Sequence, residues 1–206
     1  MDILHYPTLL NSYLHGGIVD RKDVCVEDIS APVYYVEDES WESAGQALPF
    51  NHIILNRARL ADEPDFVHDY VFLHESGHKR WPWPLQIFLL FGQFAYVLIL
   101  IILTIASPWI VIDVLSATTS GDFLLSLAGA VIAYIILVIP FLTVTWFDEA
   151  HAEVYAISRI GRSTYLEIQE IRESKSRSLS SKIRLRLMYP PTSLILAISR
   201  HRGSEY

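Results

Sequence analysis

His74-Glu75-Ser76-Gly77-His78 reads HExxH. On a helix, residues four apart lie one turn apart on the same face, so the two imidazoles can grip one zinc ion between them. Glu75 then stands beside the metal, suited to take a proton from the attacking water as general base. The reaction such a trio is suited to is metal-assisted hydrolysis of a peptide bond. A catalytic zinc ordinarily takes three protein ligands and keeps one position open for water. HExxH supplies two, so the third must come from elsewhere in the chain.

The best candidate is Glu149, within Phe147-Asp148-Glu149-Ala150-His151-Ala152-Glu153-Val154-Tyr155-Ala156. The pattern is ExxAExxA. Glu149 and Glu153 sit one helical turn apart on one face, and Ala152 and Ala156 leave room for a second helix to come close. Glu153 is then suited to accept a hydrogen bond from a ligating histidine and to orient it. His151 is the rival ligand, but on a helix it points roughly opposite Glu149. His68 lies off the face that carries the motif, and Asp148 reads as a helix-end charge. Cys25 is the only cysteine, which excludes a disulfide framework and a cysteine-based zinc site.

Two helices must therefore carry the site. His74 and His78 continue an apolar stripe through Val67 and Val71, which predicts a helix opened by Pro64 and capped by Asp62. Upstream, Pro7–His15 reads as a short helix closed by Gly16 and Gly17. Val24, Val26 and Val33–Val36 have strand character interrupted by Pro32, Glu37–Gly45 is an acidic turn, and His52–Leu55 is another short strand. Downstream, Asp148–Ile160 reads as a helix ended by Gly161, followed by a helix over Thr164–Glu173. Glu173–Ser181 reads as a loop, and Ile183–Met188 fits a strand or a basic helix. Tyr189-Pro190-Pro191-Thr192 introduces a last helix through Arg200.

Between the two motifs lie the charge-free runs Leu85–Ile112 and Phe123–Phe147, joined by Asp113–Asp122. Each exceeds the roughly 20 apolar residues of a membrane span. With 51% hydrophobic and 19% charged residues overall, these runs predict a transmembrane hairpin, with Trp81, Trp83, Trp109 and Trp146 near its ends. A hairpin would return Glu149 to the face of the membrane that carries His74 and His78. Lys79, Arg80, Arg159 and Arg162 flank the runs while the joining loop has no basic residue, which puts the motif on the cytoplasmic side. The expected protein is thus a two-span integral protein of a prokaryotic plasma membrane, with the lipid bilayer as a partner. The first residues lack the pattern of a signal peptide. A net charge of −7 argues against nucleic acid as a partner.

HExxH, a two-span hairpin and then ExxAE resemble the HtpX-like membrane metalloproteases, the family of the prenyl-protein proteases, which are gluzincins. The resemblance implies His74, His78 and Glu149 as ligands of one zinc ion and Glu75 as catalytic base. It implies an α+β fold: a mainly helical zincin-like metalloprotease domain with a small N-terminal β region and the inserted transmembrane hairpin. The N-terminal lobe would span 1–84, the hairpin 85–147 and a C-terminal helical part 148–206. It also implies that the strand at His52–Leu55 pairs with an extended, membrane-associated polypeptide substrate. Glu153 stands where the family usually has Asp. Tyr189 stands where a His-Pro-Pro motif has its histidine, and Ile195 where an arginine is expected; a tyrosine hydroxyl at 189 can still donate a hydrogen bond to the oxyanion. The function expected is a membrane zinc metalloendopeptidase. The alternative is a non-catalytic membrane sensor or scaffold that retains the fold, which the changed residues at 189 and 195 favour.

Overall fold

The computed structural model describes residues 15–48, 52–81, 84, 91–92, 94, 97–99, 101, 120–175 and 189–203. The expected helix at Pro7–His15, the loop after Lys175 and the segment Ile183–Met188 lie almost wholly outside the described residues. The chain divides into two compact units, one formed by Met1–Trp81 with Asp148–Tyr206 and the other by Pro82–Phe147. Every residue of the site discussed below belongs to the first.

That unit is built on a four-stranded mixed sheet, so the α+β class stands. Its strands are β1 (Asp20–Val26), β2 (Ile29–Val36), β3 (Gly45–Leu48) and β4 (His52–Asn56), in the order β1-β2-β4-β3. β1 and β2 form a hairpin closed by Glu27-Asp28, with Val26 opposite Ile29 and Glu27 at φ 54°. A two-residue hairpin loop demands such positive φ values to match the strand twist. β2 runs parallel to β4 from Val33 to Val36, and β3 runs antiparallel to β4. Pro32 lies inside β2 opposite Asp23, just before the stretch that pairs with β4. There β2 has a neighbour on one side only, so the missing N–H leaves no ladder bond unmade.

All five residues of β4 are buried. Ile53 and Leu55 join Val33 in the main core, while Ile54 turns to the opposite face with Tyr34 and Val36. This two-sided burial explains why β4 reads as a continuous apolar run rather than an alternating one. Across the main face lie α1 (Arg57–Leu60) and α2 (Asp65–His78). α2 contributes Val67, Tyr70, Val71, Phe72 and Leu73 to the core. Its N-cap is Pro64 in extended conformation without a side-chain cap bond, so the expected capping by Asp62 does not occur.

α3 (Ser120–Ile160) is a single helix of 41 residues. It ends at Gly161, whose φ of +81° and N–H bond to the Ile157 carbonyl make the left-handed C-terminal turn that glycine favours. α4 (Arg162–Lys175) and α5 (Thr192–Gly203) complete the described elements. They bring Tyr165, Ile168 and Ile195 into the same core.

The inserted transmembrane hairpin is not found: among the described residues no helix is long and apolar enough to cross a membrane. The first expected span, 85–112, falls mostly outside the described residues. The second, 123–147, is not an element of its own but part of α3, which runs on without a break into Asp148, Glu149 and Glu153. The same finding overturns the two-span plasma-membrane location and the positive-inside argument that set the motif in the cytoplasm. Within that unit the described side chains of Phe123, Leu124, Leu125, Val131 and Ile132 are exposed.

One close approach holds the two motif-bearing segments together. A Cβ on Gly77 would stand 2.7 Å from the Ala152 Cα and 3.0 Å from the Ala152 carbonyl oxygen, both backbone atoms. Ala152 and Ala156 are fully buried. Small residues on both sides thus allow α2 and α3 to touch backbone to backbone. Gly77→Ala is expected to cost about 1–3 kcal/mol through overpacking, offset by up to about 1 kcal/mol gained from helix propensity, and to weaken metal binding by forcing the ligands apart. Thermal unfolding with and without metal checks both effects.

Candidate metal centre

α2 presents His74 and His78 one turn apart, and α3 presents Glu149 toward them. The donor atoms of these three residues all lie within 4.8 Å of one another, so the group can hold a metal ion. The two Nε2 atoms approach to 3.3 Å. Glu149 Oε2 is 3.4 Å from His74 Nε2, and Glu149 Oε1 is 4.0 Å from His78 Nε2. The three side chains converge on one point from two helices, as the sequence pattern implies. Glu149 Oε2 is buried, and apart from the His74 Nε2 contact at 3.4 Å it accepts no hydrogen bond among the described residues. An uncompensated buried carboxylate oxygen is costly, and a cation at the point of convergence relieves it.

The opposite edges of both imidazoles face carboxylates. His78 Nδ1 is 3.0 Å from Asp148 Oδ2, and His74 Nδ1 is 3.9 Å from Glu153 Oε1. A carboxylate behind an imidazole fixes the ring and leaves Nε2 free for a metal; Asp148 is close enough to do this for His78, whereas Glu153 stands beyond hydrogen-bond distance of His74 Nδ1. Asp148 is therefore an orienting partner rather than the simple helix-end charge its sequence position suggests. Trp81 Nε1 donates to Asp148 Oδ1 at 2.8 Å and holds it in turn. Trp81, expected to mark a membrane interface, instead stacks on His151 at 4.1 Å between centroids. His151 is thereby kept out of the ligand group. Asp148→Asn is expected to weaken metal affinity about 10–100-fold with the fold intact, measurable by competition with a chromophoric chelator.

Glu153 is almost completely buried and has its own support. Tyr70 Oη lies 2.8 and 2.9 Å from the two Glu153 oxygens, and Arg172 Nη1 donates to Glu153 Oε1 at 3.2 Å and to Tyr70 Oη at 3.0 Å. The Arg172 guanidinium also lies 5.1 Å from the centre of the Tyr189 ring. Neither Tyr70 nor Arg172 carries a local sequence signal. Their partners are far away along the chain, and only the assembled helices bring them together.

Four carboxylates, Glu75, Asp148, Glu149 and Glu153, thus surround two histidines. Burial lowers the pKa of His78, but Asp148, Glu75 and Glu149 outweigh it and raise the value to about 9. For His74, burial likewise acts downward, and Glu149 and Glu153 carry the net shift upward. Without metal the site therefore draws in protons, and metal must displace them. Metal affinity is expected to climb as pH rises, because fewer protons compete, and to level off above about pH 9. Metal titrations between pH 6 and 10 measure this slope.

Glu75 is buried and is not one of the residues whose donor atoms converge. Burial raises its pKa, and the charges of His74 and His78 pull it down only in part. It accepts a hydrogen bond from the Ala47 N–H, which ties the acid of the motif to β3. A Cβ on Gly45 would stand 2.9 Å from the Leu55 side chain, 3.0 Å from Val71 and 3.1 Å from Glu75, so glycine is what lets β3 lie this close to α2. β3 is an edge strand, whereas β4 is paired on both sides. The expected pairing of substrate with His52–Leu55 is therefore corrected: that strand has no open edge. Upstream of β3, Asn56 and Asp38 shape the loop. Asn56 Nδ2 donates to the Asp38 and Trp41 carbonyls, and Asp38 Oδ1 accepts from Ser40 and Trp41.

Tyr189 lines a cavity of about 540 Å³ together with His74, Glu75 and Arg172. Burial and the Glu149 carboxylate push its hydroxyl above the usual tyrosine range, so it stays a protonated donor. Ile195 is fully buried in the core and takes no part in the cavity. No protein-family model, curated protein or solved structure matches this chain.

Proposed function

We propose that the chain is a zinc metallopeptidase, related in its catalytic plan to the HtpX-like gluzincins. The observation that carries this reading is the convergence of His74, His78 and Glu149 beside a separate, buried Glu75. Two imidazoles and a carboxylate suit zinc, since sulfur is absent and the donor set is that of hydrolytic rather than structural sites. Zinc held by these three residues supplies Lewis acidity and lowers the pKa of water.

The rest of the work falls to the chain's own groups. An extended polypeptide pairs with the open edge of β3, which sets its backbone across the Glu75 carboxyl. Glu75, with a pKa raised by burial, takes the proton of the attacking water and delivers it to the leaving amine nitrogen. Tyr189 donates a hydrogen bond to the carbonyl oxygen as negative charge develops there. Asp148, held by Trp81, keeps the His78 imidazole in register, and Glu153, held by Tyr70 and Arg172, faces His74 Nδ1. The test is hydrolysis of an unfolded polypeptide by purified protein. Cleavage should vanish with a chelator and return with one equivalent of zinc; cleavage that persists in the metal-free protein would refute the reading.

A further inference from the structure

The chain leaves its first compact unit after Trp81 and re-enters it at Asp148. These two residues are bonded to each other, with Trp81 Nε1 donating to Asp148 Oδ1 at 2.8 Å. The second oxygen, Asp148 Oδ2, lies 3.0 Å from His78 Nδ1. His151 stacks on the Trp81 ring at 4.1 Å between centroids and fixes it from its face. The last residue before one crossing, the first residue after the other and a metal-ligating histidine thus form one clasp. All of its contacts lie within the first unit. Asp148 and Glu149 are neighbours on α3, which runs through the second crossing without a break. Asp148 therefore holds His78 from behind while Glu149 reaches the point of convergence itself. With Nε2 on a metal, Nδ1 carries the ring proton and donates it to Asp148. That bond fixes the imidazole and makes Nε2 a better ligand. An indole N–H and an imidazole N–H on the two oxygens of one carboxylate leave it little freedom to turn.

We propose that Trp81 is a positioning residue that couples the inserted unit, Pro82–Phe147, to the metal centre. With the clasp closed, His78 is held ready for metal. A rearrangement of Pro82–Phe147 that draws Trp81 away from Asp148 frees the His78 ring and weakens the grip on metal. Coupling of this kind is reciprocal, so metal at the site must also steady the inserted unit. The coupling requires only that the site binds zinc and stands apart from the peptidase reading.

The test is hydrogen–deuterium exchange of the full chain, metal-free and saturated with zinc, read over residues 142–147. None of these is among the converging ligands. Zinc should slow exchange there at least about fivefold in the parent, the lower end of the usual coupling between sites. Trp81→Phe keeps an aromatic ring against His151 and loses the N–H. At saturating zinc this variant should lose the slowing over residues 142–147 and retain it within α2. Asp148→Asn leaves a single oxygen, which cannot serve Trp81 and His78 at once, and should have the same effect. If Trp81→Phe does not fold, Asp148→Asn alone decides. Equal slowing in parent and variant overturns the proposal, because α3 alone then carries the signal. No zinc effect on residues 142–147 in the parent, or no zinc binding at all, overturns it too. Hydrolysis is not read, so a zinc-bound protein that cleaves nothing refutes the peptidase reading and leaves the coupling standing.

Discussion

Glu75→Gln should abolish cleavage while the protein keeps its metal. Glutamine has the same shape, and its carbonyl oxygen can still accept the Ala47 N–H bond that the carboxylate accepts. It cannot accept a proton. The general base is therefore lost without a cavity or a shifted strand. The expected loss is about 10²–10⁴-fold in kcat/KM, or about 3–5 kcal/mol of transition-state stabilisation. Metal content is expected to stay at one equivalent, because Glu75 is not among the residues whose donor atoms converge. Activity that survives with metal bound would remove Glu75 from the reaction.

Glu149→Ala should have the largest effect on the metal. The substitution takes away one of three converging ligands, so its effect should exceed the roughly 10–100-fold cost of losing an orienting partner. It also removes one of four carboxylates crowded around two histidines, and Glu149 helps to hold the pKa of both histidines up. The metal-free variant should therefore lose this attraction to the protonated histidines and be somewhat less stable than the metal-free parent. The stabilisation that metal adds should largely disappear, since a ligand protects the folded state only in proportion to its occupancy. Thermal unfolding with and without zinc separates the two effects. A variant that still gains the full metal-dependent shift would point to a ligand other than Glu149.

The site was legible in the sequence where its logic is local. His74, Glu75 and His78 are fixed by a one-turn spacing, and Glu149 with Glu153 by another. The small residues Ala152 and Ala156 announced a close helix contact, although its partner, Gly77, emerged only from the fold. The orienting groups were not legible. Asp148 looks like any charge at a helix end until Trp81 and His78 are beside it, and Arg172 and Tyr70 meet Glu153 only through helix packing. Strand pairing failed for a related reason. A short apolar segment such as His52–Leu55 does not reveal whether its edges are open, and it proved to be internal while β3 held the edge. The charge-free runs misled most. Missing charge was read as a pair of spans, whereas the described part of the second run belongs to one long helix that continues into the ligand-bearing segment.

Tyr189 and Ile195 have different surroundings: Tyr189 lines the cavity, whereas Ile195 does not. Ile195 is buried in the core, so no cation at that position faces the cavity. Arg172, from a different helix, lies beside both Glu153 and the Tyr189 ring instead.

The most direct test is X-ray absorption at the zinc edge of protein loaded with one equivalent of zinc. The expected spectrum shows two imidazole nitrogens at about 2.0–2.1 Å, oxygen ligands from a carboxylate and water at about 2.0–2.2 Å and no sulfur, with one nitrogen lost in His78→Ala. A sulfur shell from Cys25, fewer than two imidazoles in the parent protein, or failure to bind zinc at all would contradict a catalytic centre built on His74, His78 and Glu149.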